Sequence, residues 1–220
     1  MKAEISNTEI AETKRHVPEN FKNIKPETSH TMKEMDDFWK GEFQKASEAA
    51  NETDEAGNRI YRDDNGEIYR KGDHLVPDNE YTVRGYDFKT DDQGRITSAE
   101  GKLRTRSPEN DGIRENVKGI DSQEYKDTDD RGHLIGLRFD GSSGLENLVP
   151  MDLHLNRGDY EKLENTLENA IKDKADVYLK VEPKYEGNSN RPAGFRVIYT
   201  IDGERDVVVF KNESEARHDG

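Results

Sequence analysis

His133 and Asn156 are the two residues of this chain whose types and separation fit phosphoryl chemistry. A neutral imidazole near its ordinary pKa can take a proton from water at neutral pH. A side-chain amide oxygen can hold a hard cation such as Mg²⁺, which prefers oxygen ligands and keeps several of its waters. Hydrolysis of a phosphodiester needs an activated water, charge neutralisation on the phosphate and help for the departing oxygen. A histidine, one oxygen ligand and a hydrated cation supply all three. Glu164 lies two helical turns beyond Asn156, a spacing that puts both on one side of a helix.

The elements that must position these residues follow from pattern. His133-Leu134-Ile135-Gly136-Leu137 reads as a short strand, Gly141 to Gly144 as a flexible loop, and Asn147 to Met151 as a second extended piece. An amphipathic helix from about Gly158 to Asp173 follows, with Tyr160, Leu163, Leu167, Ala170 and Ile171 on one face. Strand, loop, strand and helix in that order can bring His133 and Asn156 into one cleft. Upstream, Asp64-Asn65-Gly66, Gly85 and Asp92-Gln93-Gly94 punctuate a meander of short strands. Downstream, residues 177–181, 195–201 and 207–210 read as a closing antiparallel sheet, with Asp202-Gly203 turning the last pair. The fold class is therefore α+β, a central antiparallel sheet carrying the histidine motif. Residues 1–57 form a polar, partly helical arm and residues 58–220 the domain. Within the arm, Thr31 to Ala50 spaces Met35, Phe38, Trp39 and Phe43 as the docking face of one helix.

Three segments together resemble the DNA/RNA non-specific endonuclease family of the ββα-metal (His-Me finger) superfamily, in the branch found as bacterial toxin domains. They are Asp130-Arg131-Gly132-His133, Glu146-Asn147-Leu148-Val149-Pro150-Met151, and Leu155-Asn156-Arg157-Gly158 with Leu163-Glu164. The resemblance extends from about Tyr81 to Asn212. It implies a ββα-metal fold with His133 as general base, Asn156 as direct Mg²⁺ ligand and Glu164 on the metal's water shell. It further implies Arg131 at the scissile phosphate and Asn147 helping to orient the site. Mn²⁺ is expected to substitute for Mg²⁺, and the products implied are a 5′-phosphate and a 3′-hydroxyl. Four residues past Glu164 the better-studied branch carries an arginine, whereas Glu168 stands here. Phosphate clamping is then expected from another arginine, with Arg191, Arg114, Arg104 and Arg106 as candidates. The role implied is a secreted effector that acts in the target-cell cytoplasm on DNA, and on RNA as a second substrate, restrained in the producer by an immunity protein.

Other readings of the same residues are open. His133 can be a histidine satisfied by backbone, Asn156 a helix N-cap, Glu164 an exposed carboxylate, and Arg131 a partner of Asp129 or Asp130. The run Asp127, Asp129 and Asp130 reads as solvated loop carboxylates. His154 lacks the third nitrogen or sulfur ligand that a zinc site with His133 needs. A silent interaction module on the same fold, or a nuclease restricted to RNA or single strands, are the rival functions.

Composition narrows the classes. With no cysteine there are no disulfides and no thiolate zinc sites. No apolar run is long enough to cross a bilayer. The opening residues lack the pattern of a cleavable export signal, so export is expected by another route or within a longer chain. A net charge of −14 argues against a generic nucleic-acid binder, so any positive site must be local and partly supplied by a cation.

Overall fold

Hairpins with turn-forming residues at their tips build most of the sheet in the computed structural model, which describes residues 52–108, 110 and 124–213. All of these lie in the compact unit Ala49–Gly220. The expected arm helix over residues 31–50 and Arg114 lie outside the described residues.

Strands β1 (Ile60–Arg62), β2 (Ile68–Lys71) and β3 (His74–Leu75) form a small three-stranded sheet. The expected turn joins the first two, where the Asp63 carboxylate accepts from the backbone N–H groups of Asn65 and Glu67 at 2.9 Å each. Glu52 is already tied to this sheet, since the Ile60 N–H donates to its carbonyl at 2.8 Å.

The larger sheet contains β4 (Glu80–Val83), β5 (Tyr86–Thr90), β6 (Ile96–Lys102), β9 (Val177–Lys184), β10 (Gly194–Ile201) and β11 (Glu204–Lys211). Its order is β11-β10-β9-β6-β5-β4, antiparallel throughout. Both residues of the Arg84-Gly85 turn have positive φ, 55° and 70°. That backbone matches the twist of a two-residue hairpin. A stack of rings, Tyr69 on Tyr81 at 4.9 Å and Tyr81 on Phe88 at 5.6 Å, joins the small sheet to the large one.

The third element is the hairpin of β7 (Asp129–His133) and β8 (Leu148–Asp152), in the register His133 opposite Leu148 and Arg131 opposite Pro150. Gly132 allows the two strands to close, because a Cβ there would lie 2.6 Å from the Met151 Cβ. Two helices follow, α1 (Leu153–Asn156) and α2 (Asp159–Lys172). The second buries Tyr160 and Leu167, with Leu163, Ala170 and Ile171 packed against the core, which is the face read from its period. Tyr160 meets Phe195 of β10 edge-on at 6.3 Å, so the ββα unit is seated on the large sheet.

Three details differ from the sequence reading. His133 ends its strand rather than beginning it, and residues 137–139 form a 3-10 turn. The segment Gly141 to Gly144 is largely buried rather than loose. The Asn147 side chain pins it, donating to the carbonyls of Ile135 and Ser142 at 2.8 and 2.7 Å. Finally, Asn156 and Glu164 stand on separate helices, because α1 stops after one turn and Gly158 precedes α2.

Candidate active site

The end of β7, the 3-10 turn after it and one wall of α2 enclose a cleft of about 620 Å³ lined by His133, Asn156, Glu164, Arg138, Arg106 and Arg157. Four of the residues read from sequence therefore share one space: His133, Asn156, Glu164 and Arg106. Each is aimed by its surroundings. His133 is largely buried, at 8% exposure, and the loop leaving it is fixed on both sides. The Leu134 N–H donates to the Asn147 carbonyl at 3.0 Å, and the Leu134 carbonyl accepts from the Tyr160 hydroxyl at 2.7 Å.

Asn156 does not cap a helix. Asp152 caps α1, and Gly158 occupies the N-cap position of α2. Instead the Asn156 Nδ2 donates to Asp130 Oδ2 at 2.9 Å. Arg157 grips the same carboxylate, Nε to Oδ2 at 2.7 Å and Nη2 to Oδ1 at 2.6 Å. Committing the amide nitrogen to Asp130 fixes which way the amide lies, so its oxygen is the atom that could hold a cation.

Glu164 enters the cleft because Gly136 has no side chain. A Cβ at that position would lie 2.0 Å from Glu164 Oε1. Burial pushes the Glu164 carboxyl up to about 7; the Arg138 guanidinium pulls it down, while Glu161 and Glu168 push it further up. Among the described residues no trio of His, Asp or Glu converges to cage an ion. A donor set of one amide oxygen and one carboxylate lining the same cleft would suit a cation that keeps most of its waters rather than one stripped of them.

The remaining sequence candidates lie elsewhere. Asn147 is fully buried and its amide is spent on backbone, its Oδ1 accepting from the Ile135 N–H at 2.8 Å. It shapes the loop behind His133 and does not reach the cleft. Arg131 is half-buried on β7 and is not part of the cleft wall. Arg191, one of the expected phosphate clamps, lies outside the cleft wall. It forms a two-point pair with Asp129, both contacts at 2.7 Å, and the two side chains are 9% and 0% exposed. Asp129 and Asp130 are likewise strand residues held by arginines rather than solvated loop carboxylates. Arg104 is committed to Asp140 and stacks over Tyr86 at 4.5 Å. Of the arginines considered, Arg106 alone among the described residues borders the cleft, its Nε donating to the Asn110 carbonyl at 2.7 Å.

Two contributors were not legible beforehand. Asp130 orients Asn156 across a gap of 26 positions, and only its place in the Asp-Arg-Gly-His segment hinted at a role. Arg138 carries no motif signal. Its guanidinium faces three carboxylates of α2: Glu164 at 3.4 Å, Glu168 at 3.5 Å and Glu161 at 3.9 Å.

Comparison with known proteins places the chain in a family. Over 136 residues the chain is 33% identical to the type VII secretion system protein EssD of Staphylococcus aureus, an alignment covering 58% of this chain and 22% of that protein. It is 30% identical over 98 residues to the probable deoxyribonuclease RhsA of Dickeya dadantii, covering 44% of this chain and 7% of that one. The chain thus spans less than a quarter of either relative's length. The fold is similar to that of NucA from Streptococcus agalactiae, solved with a magnesium ion bound, with a TM-score of 0.52, 18% identity, and coverage of 79% of this chain and 90% of that one. Residues 77–203, more than half of the chain, match the DNA/RNA non-specific endonuclease family, and the chain belongs to that family of nucleic-acid-hydrolysing enzymes.

Proposed function

We propose that this chain is a Mg²⁺-dependent endonuclease of low sequence preference, with His133 as the general base. The observation that carries the reading is the shared cleft of His133, Asn156 and Glu164, with Asp130 fixing the asparagine amide. His133 takes a proton from a water that attacks phosphorus. The new oxygen–phosphorus bond forms as the bond to the 3′ oxygen breaks, and that oxygen leaves with a proton from solvent. The products carry a 5′-phosphate and a 3′-hydroxyl. Asn156 Oδ1 would hold the cation directly and Glu164 would hold its water shell. When bound, that cation neutralises charge on the phosphate and on the departing oxygen, and Mn²⁺ can take its place. Recognition in this reading is mostly of the backbone, whose phosphates the cation and a local arginine would engage.

The biological setting we propose is the nuclease module of a secreted bacterial effector, acting in the cytoplasm of a target cell and restrained in the producer by an immunity protein. Similarity to EssD and RhsA supports it. The decisive experiment is plasmid nicking by the purified chain with Mg²⁺, with chelator, and with His133→Ala. Cleavage in the first arm alone is expected; no cleavage of DNA or RNA in any arm would leave a silent module. A panel of duplex DNA, single-stranded DNA and RNA at matched salt then sets the substrate range.

A further inference from the structure

We propose that Arg138 is the residue that contacts the substrate phosphate in this cleft, and that Glu161 and Glu168 hold it ready. The inference rests on the reading of the cleft as a phosphodiester-hydrolysing site and names a residue to bind its substrate.

The case is made by how differently the cleft's arginines are engaged. Arg157 is locked onto Asp130 through two hydrogen bonds of 2.7 and 2.6 Å. Arg106 spends its Nε on the Asn110 carbonyl. Arg138 is attached only loosely to carboxylates. Its three separations, 3.4, 3.5 and 3.9 Å, all exceed the roughly 2.7–2.9 Å of a charge-assisted hydrogen bond. One nitrogen, Nη1, donates a short hydrogen bond to Asn165 Oδ1. The guanidinium is therefore stationed over α2 by the field of three glutamates and one amide, without a two-point partner of its own.

Position and chemistry fit the role. Arg138 is five residues beyond His133, on a 3-10 turn flanked by Ile135 and Ser142, whose backbone groups the Asn147 amide binds. Its side chain is 27% exposed, so it borders solvent where a phosphate must enter. A guanidinium offers five N–H donors in a planar fork matched to phosphate oxygens. A chain of net charge −14 needs a local cation that an incoming phosphate can claim from weaker partners. The i, i+3, i+7 spacing of Glu161, Glu164 and Glu168 keeps these partners along one side of α2 as the arginine shifts between them and substrate.

The test separates this role from catalysis by measuring binding in the non-cleaving His133→Ala chain. Affinity for a 20-base-pair duplex is titrated across salt concentrations, with and without Arg138→Gln. We expect about tenfold weaker binding at low salt and a salt dependence shallower by roughly 0.9 in log–log slope, the loss of one phosphate contact. Arg138→Lys should keep the slope, which supports the proposal even if the glutamine variant folds poorly. An unchanged slope and affinity in Arg138→Gln, or a lysine variant with the shallower slope, would overturn it. Reduced cleavage by Arg138→Gln at unchanged slope would also overturn it, assigning Arg138 to holding α2 in place. Failure of the wild-type chain to cleave any nucleic acid would sink the hydrolytic reading instead, and the binding comparison would still judge Arg138.

Discussion

The two ends of β7 are built on opposite principles. At its start, Asp129 is sealed from solvent and gripped by Arg191, which also donates to the Asn212 carbonyl at 2.9 Å. Asn212 in turn accepts from the Asp152 N–H at 2.7 Å and donates to the carbonyls of Pro150 and Pro192. Every donor there has a close, directional acceptor. At its finish, His133 opens onto a cleft in which Arg138 is shared among three carboxylates at longer range. The first arrangement immobilises the strand and the second leaves groups able to change partners. The same residue type, arginine, serves both, and distance and burial tell the roles apart.

Five experiments sharpen or break that contrast. The largest expected effect is on chemistry. His133→Ala should lower cleavage by roughly 10²–10⁴-fold, the range for loss of a general base, with circular dichroism unchanged. Residual activity within a few-fold of wild type would end its assignment. At the other end of the strand, Arg191→Ala should cost about 3–5 kcal/mol in urea denaturation, because it strands the Asp129 carboxylate in the interior. Activity per folded molecule should persist at low temperature; specific loss of DNA binding would make Arg191 a substrate contact after all.

Asp130→Ala should weaken metal affinity by roughly 10–100-fold in a calorimetric titration, since the Asn156 amide loses its orienting acceptor. An unaltered titration would mean the amide is positioned by something else. Gly136→Ala is subtler. Its methyl meets the far end of the Glu164 side chain, which can rotate away, so stability should change little while metal affinity falls. A large drop in melting temperature with normal metal binding would contradict the view of Gly136 as a passage for that carboxylate.

A third network gives the smallest effect and a pH signature. Asp140 accepts from Arg84 at 2.6 Å and from Asn110 at 3.1 Å, supporting the segment that carries Arg106 to the cleft. Burial alone would raise its carboxyl, but hydrogen bonds from Arg84, Asn110 and Ser107 win and hold it at about 2. A depressed carboxylate stabilises the fold above its unfolded value near 3.9, and that contribution fades as pH falls toward about 2. Asp140→Asn should flatten the stability profile across that window. A profile parallel to wild type would remove Asp140 from the account.

What could be read beforehand was local. The Arg84-Gly85 and Asp202-Gly203 turns, the Tyr160–Ile171 face of α2 and the strand, loop, strand, helix order all depend on neighbours within a few positions. The one-turn helix α1 that carries Asn156 escaped because four residues are too few to show a helical period. Arg191 escaped for a different reason: its partner Asp129 lies 62 positions away, and nothing in either neighbourhood announces the other.

The amino-acid order by itself determined the succession of strand, loop, strand and helix, because short-range turns and helical periodicity dictate it, and such a unit can bring a histidine and an asparagine together. Which arginine would be walled in and which would face the cleft was decided only by the tertiary structure. A guanidinium's role depends on how closely and from how many sides carboxylates surround it, and those carboxylates arrive from distant strands and helices.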